Sequence, residues 1–204
     1  MPTRSQHLQR GILLEYLTIG WNVIEGMAAV ASGALSGSIA LIGFGIDSFI
    51  EVSSGSVLLW RLRSERRGAN REDVERKALK LVGASFLLLA AYVSVDAIKT
   101  LNQREQPERS LVGIVVAVLS LLVMPLLARQ KRKAAANLQS PALRADSRQT
   151  SLCAYLSVIL LGGLLLNAVF GWWWADPVAA LAMVPIVAKE GLQAFRGETC
   201  DDCG

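Results

Sequence analysis

Ser38-Ile-Ala-Leu-Ile-Gly-Phe-Gly-Ile-Asp47-Ser-Phe-Ile-Glu51-Val-Ser-Ser-Gly-Ser-Val-Leu-Leu-Trp60 is an apolar stretch long enough to cross a bilayer, and it carries two carboxylates near its middle. Asp47 and Glu51 are four residues apart, so on a helix they project from one face about 6 Å from each other. An ionised carboxylate inside lipid is costly unless it has a partner. A divalent cation is a natural partner, and the alternative is a Lys or Arg reaching in from a neighbouring helix. Every Lys and Arg of the chain reads as lying near a segment end, which favours the cation and makes the stretch a candidate metal-ion pathway.

The rest of the chain has the same character. Of 204 residues 52% are hydrophobic, a composition for a membrane protein rather than a soluble domain with one large core. Six apolar segments can be drawn, at residues 12–32, 36–61, 78–100, 110–128, 141–170 and 176–195. Each is near the roughly 20 residues that a bilayer's hydrocarbon requires. The expected fold is therefore an all-α membrane protein, a six-helix transmembrane bundle over residues 11–197, with a polar N-terminus at 1–10 and a short tail at 198–204. The first apolar run is followed by no small-residue cleavage site and reads as a retained helix.

Six crossings put both ends on one side of the membrane, and the positive residues choose the side. Of the 21 Lys and Arg, 18 fall at the N-terminus, in the 61–80 and 129–148 stretches and in the C-terminal part; Lys99, Arg104 and Arg109 fall on the opposite face. The positive-inside rule makes both termini cytoplasmic. The net charge of +4 thus reports orientation in a multi-pass protein of the cell's inner (cytoplasmic) membrane, with the lipid bilayer and not nucleic acid as its surroundings. Three cysteines, Cys153, Cys200 and Cys203, make an odd count that argues against a disulfide scaffold.

Local chemistry adds detail. Ser140 is a good N-cap and Pro141 suits a first helical turn, so the fifth helix starts there. Its midpoint falls near Tyr155, which brings Gln149 and Cys153, again four apart, to the depth of Asp47 and Glu51. Ser38-x-Ala40-Leu41 with Asp47-Ser48 and Glu51 matches Ser140-x-Ala142-Leu143 with Gln149-Thr150 and Cys153 at a constant offset of 102. The two helices run in opposite directions, the pattern of an inverted repeat in secondary transporters. Asp47, Glu51, Gln149 and Cys153 together offer two carboxylates, an amide oxygen and a sulfur, enough for one four-coordinate ion. Thiolate favours zinc, cadmium and similar ions, whereas an amide oxygen suits harder ones. Ionisable ligands must lose protons to bind metal, so metal and protons compete for the site. In the first segment Glu15, Asn22 and Glu25 are read as facing the bundle, with Glu15 at the interface. Pro125 and Pro185 are expected to kink their helices. Trp172 to Trp174 read as an interfacial belt.

At these residues the chain resembles the cation diffusion facilitator family of divalent-metal exporters. Ser36-Gly37-Ser38-Ile-Ala-Leu followed by Asp47-x-x-x-Glu51 resembles the family's second helix, with its Asp/His-x-x-x-Asp metal pair. Ala145-Asp146-Ser-Arg-Gln149-Thr-Ser-Leu-Cys153 resembles the fifth-helix Ala-Asp-x-x-His-x-x-x-Asp, and Ala175-Asp176-Pro177-Val-Ala-Ala the opening of the sixth. The resemblance implies metal ligands at Asp47, Glu51, Gln149 and Cys153, a homodimer, and export of zinc-, cadmium- or cobalt-like ions in exchange for protons. The metal would be cargo; no catalytic residue and no cofactor is expected. Gln149 and Cys153 replace His and Asp, and Phe44 stands where many members carry a further acid. Where the family has a folded cytoplasmic domain, this sequence has a tail ending Cys200-Asp-Asp-Cys203, a candidate accessory site for metal capture. A non-transporting membrane subunit or metal sensor on the same bundle is the alternative reading. An enzyme has little support, because the lone His7 lies in the polar N-terminus.

Overall fold

The computed structural model describes residues 4–64, 72–104, 108–138 and 140–196. Its elements are six helices: α1 (Arg4–Ser36), α2 (Ile39–Ser64), α3 (Glu72–Gln103), α4 (Leu111–Leu138), α5 (Pro141–Phe170) and α6 (Ala175–Arg196). The segments from Ile39 to Trp60, from Leu111 to Leu138 and from Asp146 to Phe170 are long and apolar enough to cross a membrane. The remaining helices are also long, at 33 residues for α1, 32 for α3 and 22 for α6, but carry more polar residues. The polarity is turned inward. Leu111, Val115, Leu119, Leu122 and Leu126 are exposed along one side of α4, while Glu15, Asn22, Glu25, Asp47, Glu51 and Lys131 are buried. That inversion is what lipid as the surrounding solvent selects.

Helices α1, α2, α5 and α4 form a closed ring, each packed on the next, and α3 with α6 forms a pair joined to the ring through α2 and α5. Packing within the pair is close because glycines face each other: a Cβ on Gly83 would stand 2.7 Å from the Gly191 carbonyl oxygen, and one on Gly191 2.8 Å from the Phe86 Cβ. Small residues at such crossings let backbones approach without lipid-exposed voids.

The expected start of α5 is present. Ser140 accepts from the Leu143 backbone N–H at 3.4 Å with Pro141 in the first turn, and Gly171 ends the helix in the left-handed conformation (φ 67°) with its N–H on the Asn167 carbonyl. The repeat partner behaves alike: Ser38 accepts from Leu41 N–H at 3.2 Å at the start of α2. Pro125 and Pro185 sit inside α4 and α6, which continue through them. Trp172 and Trp174 stack with ring centroids 5.0 Å apart on the short α5–α6 connection, both exposed.

Three boundaries differ from the sequence reading by six residues or more, one of them the start of α3 at Glu72 and not at 78. The polar stretch before residue 11 is already helical from Arg4, and α4 runs ten residues past the expected end at 128, to Leu138. Arg, Gln, Lys and Ala are all strong helix formers, so the charged run 129–135 extends the helix instead of breaking it. This extension decides the site.

Candidate functional site

Helices α2 and α5 cross antiparallel. Ser54 Oγ donates to Gln149 Oε1 at 3.0 Å, and Thr150 Oγ1 donates to Glu51 Oε1 at 2.9 Å, so residue numbers fall on α5 as they rise on α2. Continuing the register by one turn sets Asp47 level with Cys153, and Asp47, Glu51 and Glu25 are all near enough to Cys153 to act on it electrostatically. The sequence-derived residues thus share one depth. They do not share one coordination sphere: among the described residues no three His, Cys, Asp or Glu side chains converge as a metal cage.

Each of the four has its own surroundings. Asp47 lines a narrow apolar pocket of about 10 Å³ with Gly43, Phe44, Val93, Leu156 and Met183, room for roughly one water. Glu51 is buried, with Oε1 held by Thr150 and Oε2 without a hydrogen-bond partner. Gln149 is half-buried and its Nε2 has no partner. Cys153 is a free thiol, 1% exposed, whose Sγ lies 4.0 Å from Glu25 Oε2. Cys200 and Cys203 lie outside the described residues.

Helix α1 contributes more than the sequence reading assigned to it. Glu15, Thr18, Asn22, Glu25 and Ala29 are all buried at the spacing of a single helix face. Glu25 Oε2 accepts from Ser48 Oγ at 3.1 Å, and its Oε1 is unpartnered. Ser120 and Trp21 stand beside Glu25 and Asn22 beside Glu51, none in hydrogen-bond geometry. Glu25 also lies within electrostatic reach of Asp47 and Glu51. Three carboxylates therefore crowd one buried region.

One expectation is overturned. Not every Lys and Arg lies near a segment end: Lys131 is fully buried inside α4, with Nζ 3.1 Å from Glu15 Oε2 and hydrogen-bonded to Asp146 Oδ2. Glu15 thus faces the bundle, as expected, with Lys131 as its partner. The sequence carried a signal for this, since Met124, Ala128, Lys131, Ala135 and Leu138 occupy one helical face and are all buried. Lys131 also reaches Thr150 Oγ1 at 3.4 Å, and through that hydroxyl the cation touches the chain of groups leading to Glu51.

A sixth buried acid has a different partner. Asp176, at the start of α6, accepts from the Ser38 hydroxyl and, through Oδ2, from the Ile39 N–H at 3.0 Å and the Ala40 N–H at 3.4 Å. It caps the N-terminus of α2, where unpaired N–H groups and the helix dipole favour an anion. Two stretches singled out in the sequence, Ser36–Leu41 and Ala175–Ala180, are thereby shown to clasp each other.

Against known proteins, the model of the cation efflux transmembrane domain matches residues 16–198. An uncharacterised transporter of Synechocystis is 27% identical over 186 residues, 88% of this chain and 60% of that protein. Transmembrane protein 163 of Xenopus laevis is 25% identical over 94% of this chain and 69% of its own length. A cation-efflux pump of Shewanella oneidensis is 31% identical over 56% of this chain and 36% of the pump. The chain spans 60% and 63% of the length of the Synechocystis protein and of a Methanocaldococcus jannaschii transporter that it matches.

Proposed function

The chain belongs to the cation efflux family, and from that membership we propose that it is a secondary transporter exporting divalent transition-metal cations of the zinc, cadmium and cobalt type from the cytoplasm. The observation that carries this reading is the imbalance of charge at mid-bundle. Asp47, Glu51 and Glu25 are buried together without a Lys or Arg hydrogen-bonded to them, while Glu51 Oε2 and Glu25 Oε1 have no donor. A divalent cation supplies both the missing charge and the missing partner, and protons supply them when the cation leaves.

In this reading all six helices span the inner membrane with both termini cytoplasmic, following the 18 to three division of Lys and Arg. Metal enters from the side of Lys131 and Asp146, binds at Asp47 and Glu51 with Gln149 and Cys153, and leaves towards the side of Asp176. Binding releases protons from the ligands, so loading the site with protons from outside expels the ion; this is proton antiport without a separate relay. The transporter works as a homodimer. Cys200 and Cys203 collect metal at the cytoplasmic mouth.

Purified protein in liposomes with an internal metal-sensitive dye tests the proposal. Imposed Zn²⁺, Cd²⁺ or Co²⁺ gradients should give uptake that is slowed at acid pH and moves protons the opposite way. The competing reading, a non-transporting subunit or metal sensor, is motivated by the Gln149 amide being tied to Ser54 and by the lack of a ready cage. Metal binding without flux would establish that reading instead.

A further inference from the structure

Resting on the proposed transport of divalent metal, we infer that Glu25 of α1 is itself a metal ligand, paired with Cys153 of α5, so that the site is built from three helices rather than two. Helix α5 brings an amide and a thiol to the mid-bundle region and α2 brings two carboxylates. The third carboxylate there comes from α1.

Distance supports the pairing. An ion bound tetrahedrally at ~2.1 Å from a carboxylate oxygen and ~2.3 Å from a sulfur holds the two ligand atoms ~3.6 Å apart. Glu25 Oε2 and Cys153 Sγ stand 4.0 Å apart, so they need to close by only a few tenths of an ångström. Burial supports it too. Glu25 is 2% exposed and its Oε1 has no partner, an arrangement that costs free energy unless something else is bound there. The carboxylate is anchored from α2 by Ser48, the neighbour of Asp47 in sequence, so Glu25 is held over the site and not turned to lipid.

On binding, the thiol proton is released to water and the sulfur coordinates as thiolate; no oxidation occurs. One thiolate and one α1 carboxylate added to the α2 pair give a donor set that favours zinc and cadmium over magnesium or calcium. Substrate preference is thereby placed partly on α1, outside the α2–α5 crossing.

The test is direct binding to the full chain carrying Cys200→Ser and Cys203→Ser, so that the sulfur signal comes from Cys153. Titration with Cd²⁺ should produce the ultraviolet charge-transfer band of a cadmium thiolate, saturating and absent in Cys153→Ser. Glu25→Gln, which keeps shape but removes charge, should weaken Cd²⁺ binding about tenfold or more. Glu25→Asp, which retracts the carboxylate by one methylene, should fall between the two. Ser48→Ala, which removes the anchor but not the ligand, should cost much less than Glu25→Gln. Should Glu25→Gln fail to fold, Glu25→Asp decides: affinity equal to the parent overturns the assignment. Parental affinity in Glu25→Gln overturns it also and leaves transport through Asp47 and Glu51 standing. A Ser48→Ala loss equal to that of Glu25→Gln reduces Glu25 to a structural acceptor. If the parent shows no thiolate band yet moves Cd²⁺ in liposomes, the Glu25–Cys153 pair falls and Cys153 leaves the proposed site, while transport through Asp47 and Glu51 stands; if it neither binds nor moves the ion, the transport reading falls with it.

Discussion

Glu15 and Asp146 on one hand, and Asp47, Glu51 and Glu25 on the other, are buried acids in the same four-helix ring, yet they are satisfied in opposite ways. The first two share Lys131, a cation the fold itself supplies. Of the other three, Glu51 and Glu25 have only neutral donors, Thr150, Ser48 and the Cys153 thiol, and each leaves an acceptor atom empty, while Asp47 lines an apolar pocket. A buried acid with a built-in cation is neutralised by the fold itself; one without must take up a proton or another cation. The contrast is sharper than composition suggests, because Thr150 joins the two groups through a single hydroxyl.

The largest effect should come from the uncompensated acids. Asp47→Ala and Glu51→Ala are each expected to abolish metal flux, a loss of about a hundredfold or more, while leaving the protein monodisperse and helical. Retained flux in both variants would break the comparison at once. Misfolding of either would move these acids into the structural group.

Lys131→Met should do the reverse. Removing one partner of a buried ion pair leaves Glu15 and Asp146 without their cation, at a cost of about 3–5 kcal/mol. Detergent-solubilised protein would show this as a large drop in thermal midpoint. Changing Glu15 and Asp146 to Leu in the same variant should restore most of it, since apolar side chains of similar size need no partner. A Lys131→Met protein of normal stability but without flux would show that the cluster belongs to the pathway.

Asp176 extends the comparison to a third kind of partner, the N-terminus of a helix. Asp176→Asn weakens an anion's interaction with the α2 N–H groups and should cost about 1–2 kcal/mol, with flux per folded molecule unchanged. Unfolding by urea measures the first and dye-loaded liposomes the second. Altered metal affinity would place the N-terminal end of α2 in the proposed transport path.

Thr150→Val should have the smallest effect. It removes the hydroxyl between the two groups, and about 1 kcal/mol of stability is expected to go with the lost hydrogen bond to Glu51. Metal affinity measured by calorimetry should shift by a few-fold at most, since Glu51 keeps its charge. A loss as large as that of Glu51→Ala would mean that the two groups act as one.

Much of this was legible before any coordinates. The six helices, the Ser140 cap with Pro141, and the shared depth of α2 and α5 follow from signals within a few residues of one another: apolar run length, capping chemistry and a four-residue spacing. Asp47 and Glu51 stand out because an acid in an apolar run is anomalous wherever the run ends up. Local periodicity also marked the faces that carry Lys131 and Glu25, although a charged side chain on an apolar face does not say what it meets.

Which acid meets which partner was decided only by tertiary structure. Lys131 and Glu15 are 116 positions apart, and Asp176 lies 137 positions from the Ile39 N–H it accepts from. The spacing of Met124, Ala128, Ala135 and Leu138 separates Lys131, which is buried, from the exposed Arg132 and Lys133, but it does not name Glu15 and Asp146 as the partners of Lys131. The physical reason is that a helix sets only the direction of a side chain, whereas the free energy of a buried charge depends on the atoms opposite it. Those atoms arrive from other helices, so the sequence alone identifies the acids in apolar segments, and helix packing decides which of them meet a cation and which keep an acceptor atom without a partner.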